Sequence, residues 1–169
     1  MCIRDSHSCV VLSDGVAKCW GLGTDGQLGN GSDISTGAAV SVSHITTAVN
    51  IGAGNVHTCA VLANGSVWCW GSNFGGFLLG TGNADASSIP VQALDISTAV
   101  EVSVGNFHSC ALLLGGRIRC WGYNFSGYLG VGTLEHSATP VLVNGVTTCL
   151  LNTSPSPRDR TRSRMPSSA

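Results

Sequence analysis

Charge is scarce in this chain. Only 10% of its 169 residues are charged, against 43% hydrophobic. Nucleic-acid binding requires a basic footprint, and so thin a supply of charge speaks against it. Long apolar runs are also missing. None reaches the length of a membrane-spanning helix, so no membrane insertion is expected. The N-terminus has no apolar core of signal-peptide type. The motifs of catalysis are absent as well: no nucleophile elbow, phosphate-binding loop or carboxylate pair stands out. No catalytic residue, cofactor or small-molecule substrate is therefore expected. Glycine, by contrast, is abundant at 23 residues. With so few charges, that composition fits a β-rich chain with many tight turns.

One stretch gives the chain its plan. His57 to Gly71 reads HTCAVLANGSVWCWG, and it recurs as HSCVVLSDGVAKCWG at 7–21 and HSCALLLGGRIRCWG at 108–122. Cys59-Ala60-Val61-Leu62 is short, apolar and partly β-branched, as a buried strand should be. Asn64-Gly65 is a hairpin signal, and Asp14-Gly15 and Gly115-Gly116 stand at the same place. A three-residue loop, Ala63-Asn64-Gly65, sets Leu62 opposite Ser66 and Cys59 opposite Cys69. A two-residue loop sets Cys59 opposite Trp70 instead. On the first count Cys9 faces Cys19 and Cys110 faces Cys120. Directly opposed α-carbons lie roughly 4.5–5.5 Å apart, within reach of a disulfide. Each bridge would close about eleven residues and add roughly 2.5–3 kcal/mol by restricting the unfolded chain.

The two ends break this pattern. Residues 1–6 resemble a translated sequencing-library adapter. Residues 149–169 resemble the same adapter in reverse, followed by a translated primer. Both are expected to be non-native, the second alternatively a disordered Arg/Ser/Pro-rich tail. Residues 7–148 then hold six cysteines, all in the hairpins, which is three pairs with no remainder. Three basic residues remain (Lys18, Arg117, Arg119) against seven acids (Asp14, Asp25, Asp33, Asp85, Asp95, Glu101, Glu135), a net charge of −4. Three scattered basic residues make no footprint for nucleic acid.

The repeat length is 50 residues from His7 to His57 and 51 from His57 to His108. The extra residue is a Leu in Gly76-Phe77-Leu78-Leu79-Gly80, aligned with Gly26-Gln27-Leu28-Gly29 and Gly127-Tyr128-Leu129-Gly130. Further strands are expected at Ala48–Ile51 and Val100–Val104 and near Pro90–Ala93 and Pro140–Val143. That makes four short strands per repeat, the content of one propeller blade. Ala53-Gly54-Asn55-Val56-His57-Thr58-Cys59-Ala60-Val61 and Cys120-Trp121-Gly122-Tyr123-Asn124-Phe125-Ser126-Gly127-Tyr128-Leu129-Gly130 resemble the regulator of chromosome condensation repeat. The resemblance covers essentially all of 7–148. It implies an all-β fold, a partial β-propeller of about three four-stranded blades from a seven-bladed ring. The doubled cysteine resembles the family's bacterial, exported branch, and disulfides persist mainly in oxidising compartments. An extracellular or cell-envelope location follows as an expectation. Two family functions are poorly matched. GTPase exchange with chromatin docking needs a protruding wedge and basic tails, and neither is visible. The photoreceptor pattern places Trp ahead of the His-Thr pair, where this chain has Asn55-Val56 and Asn106-Phe107.

Several residues admit two readings. His7, His57 and His108 each precede a cysteine by two positions, which could mean zinc. Hairpins on separate blades do not converge, so no metal site is expected; a histidine bonded to backbone between blades is the better reading. Trp20, Trp70 and Trp121 recur at one position and are expected to pack between blades. Trp68 has no counterpart and could be exposed. Phe74, Phe77, Tyr123, Phe125 and Tyr128 sit in the Gly-rich loops. They either form a recognition surface or cover neighbouring blades. Asn30, Asn64 and Asn124 begin glycosylation-type triplets, a pattern common by chance. His44, His136 and the inter-hairpin acids read as solvated surface.

The expected function is a non-catalytic protein–protein interaction scaffold with a protein partner. The alternatives are a secreted enzyme inhibitor of propeller type, and a carbohydrate-binding module or enzyme-associated domain. An inhibitor predicts aromatic anchors converging on one face. A lectin predicts a Trp platform repeated per blade. An enzyme predicts a convergent polar cluster with perturbed ionisation.

Overall fold

The computed structural model describes residues 2–3 and 6–147. Within them, strands form three separate four-stranded antiparallel sheets. Blade 1 holds β1 (Cys2–Ile3), β2 (His7–Val11), β3 (Ala17–Gly21) and β4 (Thr36–Ser41). Blade 2 holds β5 (Ala48–Ala53), β6 (His57–Leu62), β7 (Val67–Gly71) and β8 (Ser87–Gln92). Blade 3 holds β9 (Ala99–Val104), β10 (His108–Leu113), β11 (Ile118–Gly122) and β12 (Ser137–Leu142). Each blade is an up-and-down meander in chain order. Cys2–Ile3, inside the segment the sequence sets apart, takes the first-strand place of blade 1; residues 149–169 lie outside the described residues.

The central hairpin adopts the three-residue loop. Val61 pairs with Val67, Ala60 with Trp68 and Cys59 with Cys69. Leu62 N–H donates to Ser66 C=O at 2.9 Å, and Gly65 N–H to Leu62 C=O at 2.8 Å. Gly65 has φ of 80°, which a residue with a Cβ adopts only at a cost. The same register in the other blades opposes Cys9 to Cys19 and Cys110 to Cys120. All three pairs are disulfide-bonded, with Cα–Cα separations of 4.2, 4.0 and 4.1 Å, slightly closer than the spacing expected from sequence.

Strand alternation sends successive side chains of β6 to different neighbours. Ala60 joins Trp70, Leu28 and the Cys9–Cys19 pair in a core between blades 1 and 2. Cys59, Val61 and Val67 join Leu79, Val102, Val104 and Trp121 in a second core between blades 2 and 3. Both faces of blade 2 are thus covered, and β6 reads as an almost unbroken apolar run for that reason. Each buried Trp contributes roughly 4–6 kcal/mol gross from its area, more than one hairpin disulfide adds. Packing between blades therefore outweighs the bridges within them.

The fourth strands begin earlier than the sequence indicates, at Ser87 and Ser137 rather than at Pro90 and Pro140. The ladder shifts register after Cys69 and after Cys120, so Gly71 and Gly122 regain partners at Ser87 and Ser137. Ser87 Oγ and Ser137 Oγ donate to the carbonyls of Ile89 and Thr139 at 2.6 and 2.7 Å. Those local bonds shape polar residues into a strand start that hydrophobic patterning passes over.

Candidate functional site

The register fixes which loops share a face. Gly21 pairs with Thr36, Gly71 with Ser87 and Gly122 with Ser137. Segments 22–35, 72–86 and 123–136 therefore leave the blades at one end. The hairpin loops 13–15, 63–65 and 114–116 lie at the other. Four of the five loop aromatics singled out in the sequence meet at the first end.

A buried asparagine shapes each of the two aromatic loops. Asn73 Oδ1 accepts from Leu78 N–H at 2.8 Å and Leu79 N–H at 3.1 Å, while its Nδ2 donates to the carbonyls of Asn83 and Asp85. Asn124 does the same with Leu129 N–H at 2.9 Å and the carbonyls of Thr133 and Glu135. Leu79 can take its place in the core despite the extra residue because Asn73 bonds both leucine amides. Blade 1 has Gly23 at this position, and its N–H donates to Ser35 Oγ instead.

The stapled loops carry the aromatics to Tyr123. Its ring centroid lies 5.0 Å from Phe125, 5.2 Å from Phe77, 6.1 Å from Phe74, 6.0 Å from Phe107 and 4.9 Å from His136. Tyr123 is buried at 8% exposure, whereas Phe74 and Phe125 are 68% and 63% exposed. The aromatics divide by burial: Tyr123 and half-buried Phe77 pack against neighbouring side chains, while Phe74 and Phe125 face solvent. Tyr128 does not join them. It stacks on His108 of its own blade at 5.2 Å.

Two members of the cluster were not singled out. His136 is half-buried rather than solvated, and its Nδ1 accepts from Asn124 N–H at 3.0 Å. Phe107 is 43% exposed and reaches Tyr123 edge-on. Its one signal in the sequence is position: an aromatic directly ahead of the repeated histidine, where the other copies have Ser6 and Val56. Nothing marks His136, because its stretch differs in every repeat.

Two of the three repeated histidines bridge blades. His7 Nε2 lies 2.7 Å from Thr58 Oγ1, and His57 Nε2 lies 2.8 Å from Ser109 Oγ. The partner is a hydroxyl of the next blade, not the backbone expected. Thr58 Oγ1 in turn donates to Gln27 C=O, so it accepts from an Nε2–H of neutral His7. Burial pushes the His57 imidazole down to about 3, helped by His7 and His108, and pushes His7 down to about 4. Trp70 Nε1–H donates to Gln27 C=O at 2.9 Å and Trp121 Nε1–H to Leu78 C=O at 3.0 Å. Both rings are fully buried, as the inter-blade reading requires, while Trp20, the third of the set, is only half-buried. Trp68 is half-buried, with its Nε1–H on Ser66 Oγ at 3.0 Å. His7 and His57 are thus structural, each held to a hydroxyl, and among the described residues the cysteines at these sites are paired; His108, also lowered by burial, stacks on Tyr128 instead.

The regulator of chromosome condensation (RCC1) repeat is matched at residues 5–27, 48–76 and 99–127, and by a second description of the same repeat at 64–112. The chain belongs to the regulator of chromosome condensation repeat family. Over 141 residues it is 33% identical to the ultraviolet-B receptor UVR8 of Arabidopsis thaliana, covering 80% of this chain and 32% of that protein. Over 146 residues it is 33% identical to the human E3 ubiquitin-protein ligase HERC2, covering 83% of this chain and 3% of that one. The chain thus spans a third or less of these relatives. The crystal structure of human WBSCR16 superimposes with a TM-score of 0.71 at 21% identity, over 82% of this chain and 36% of that one. Prp20p from Saccharomyces cerevisiae, described with its binding to Gsp1p and histones, gives 0.67 at 22% identity, over 82% and 36%. The fold of this repeat chain is a partial β-propeller.

Proposed function

We propose that this chain is a non-catalytic protein-interaction scaffold that meets its partner with the loop end of blades 2 and 3. The observation that carries the reading is the aromatic cluster: exposed Phe74, Phe107 and Phe125 ringing a buried Tyr123. Exposed aromatics held by a rigid scaffold bind with little ordering entropy, and such residues dominate interface energetics. Family members of the same fold that bind proteins, such as Prp20p, support the class of function. The three disulfides support an oxidising setting, hence an exported or cell-envelope parent protein. An enzyme as the partner would make the same face an inhibitor surface. A lectin-type platform has less support, since Trp70 and Trp121 are buried.

The test uses the immobilised chain and secreted and envelope proteins of the source cells. Phe74→Ser with Phe125→Ser is expected to abolish capture of the specific partner. Leu114→Ser, at an exposed hairpin loop of the opposite end, is expected to leave it intact. Capture that survives the first change, or that is lost with the second, overturns the assignment of the face. Enzyme activity assayed on the captured partner separates inhibitor from scaffold.

A further inference from the structure

Resting on the reading that this face binds protein, we propose that the aromatic cleft receives the guanidinium of an arginine presented by the partner. The cleft lies between Phe74, Phe107, Tyr123 and Phe125 and encloses about 90 Å³. Only aromatic side chains line it. Such a wall offers no hydrogen-bond partner to a neutral polar group, but it offers ring faces, which attract cations through their quadrupole.

The formal charge at this end of the blades has one sign. Asp25, Asp33, Asp85 and Glu135 are all exposed and all belong to the segments that emerge at this end. The formal positive charges of the described residues lie elsewhere. Arg117 follows the hairpin loop at the opposite end, Lys18 lies on β3 toward its own hairpin loop, and Arg119 on β11 donates to Pro140 C=O at 3.0 Å. The inter-blade histidines at this end stay neutral, with His7 and His57 lowered to about 4 and about 3 by burial. An acidic end with an aromatic cleft complements a basic segment, steers it in, and discriminates against acidic partners.

Arginine fits this chemistry better than lysine. Its guanidinium is planar and weakly hydrated, so it stacks on aromatic faces, whereas an ammonium holds its water. The rims of the cleft are Phe74 and Phe125, 68% and 63% exposed, so the group enters from solvent without unpacking buried Tyr123. The loop carbonyls beneath are already engaged by Asn73 and Asn124. The ring faces, with the acids at the same end, are what remains to hold the cation.

The experiment titrates the full chain with acetyl-Gly-Arg-Gly-amide and follows the ring resonances of Phe74, Phe107, Tyr123 and Phe125. Matched peptides carry citrulline, which keeps the shape without the charge, and norleucine, which is apolar. The arginine peptide is expected to saturate in the millimolar range, about fivefold tighter than the citrulline one, as an exposed cation–π contact allows. Phe125→Leu keeps an apolar side chain and removes a ring face; it should weaken arginine binding and leave the norleucine response unchanged. Unchanged indole N–H signals of Trp70 and Trp121 certify the fold of that variant. Equal response to all three peptides, or none to any at millimolar concentration, overturns the arginine proposal. Either result leaves the interaction face standing if the Phe74→Ser, Phe125→Ser variant still loses the captured protein. If capture persists in that variant, the face itself is wrong.

Discussion

Gly29 lies directly beneath the indole of Trp70, and a Cβ built on it would stand 2.6 Å from Trp70 Nε1. Gly80 stands in the same relation to Trp121, with its Cβ 3.0 Å from Nε1. The seam between blades therefore repeats as one unit: a glycine in one blade, a tryptophan from the next, and a carbonyl beside the glycine that takes the indole proton.

Gly29→Ala is expected to destabilise the chain by about 2–4 kcal/mol, combining overpacking against a fully buried ring with a left-handed residue. Its φ is 70°. Gly37→Ala is the control, since a Cβ there meets nothing within 4 Å. It should change stability by less than about 1 kcal/mol. Denaturant unfolding followed by tryptophan fluorescence reads both. Equal effects would mean the seam is loose.

Acid should weaken the fold through the histidine bridges. An unfolded histidine titrates near 6.5, while burial holds His57 down at about 3 and His7 at about 4. Between those values the unfolded chain binds a proton that the folded chain refuses. Stability is then complete above about pH 6.5 and falls as the pH drops, by about 1.4 kcal/mol per pH unit for each such histidine. Unfolding at about pH 7.5 and about pH 5 measures the slope. His57→Gln should flatten it by about the share of one histidine, leaving that of His7 and of His108, which burial also lowers. A slope unchanged by that substitution would place the acid sensitivity elsewhere.

The three disulfides should not reduce together. Cys9, Cys19, Cys59 and Cys69 are fully buried in the cores between blades, while Cys110 is half-buried on the outer face of blade 3. Attack by an external thiolate depends on access. Brief dithiothreitol treatment, alkylation and peptide mapping should label Cys110 and Cys120 first, faster than the other pairs by about tenfold or more. Replacing Cys110 and Cys120 by serine should cost roughly 2.5–3 kcal/mol. Labelling of Cys59 at the same rate would contradict the packing between blades 2 and 3.

Much of the blade was legible because its determinants are local. Asn64-Gly65 and its counterparts set the hairpin loop, the loop set the register, and the register opposed Cys59 to Cys69 only 10 positions away. Where local chemistry runs against hydrophobic patterning, reading failed. Ser87 and Ser137 start strands because their hydroxyls bond the carbonyl two residues on. The aromatic cluster was legible in part: Phe74, Phe77, Tyr123 and Phe125 meet, and Tyr128 turns away to His108.

By itself, then, the sequence determined the unit: its strands, its turn, its sulfur pairs, and the family to which they belong. Those features depend on residues within one hairpin, where covalent connection limits the choices. The tertiary structure alone decided that His7 would find Thr58, that His136 would leave solvent, and that Phe74 and Phe107 would share Tyr123. These pairings arise from how one blade is set against the next, a rotation held by buried tryptophans and glycines and written in no single stretch of the chain.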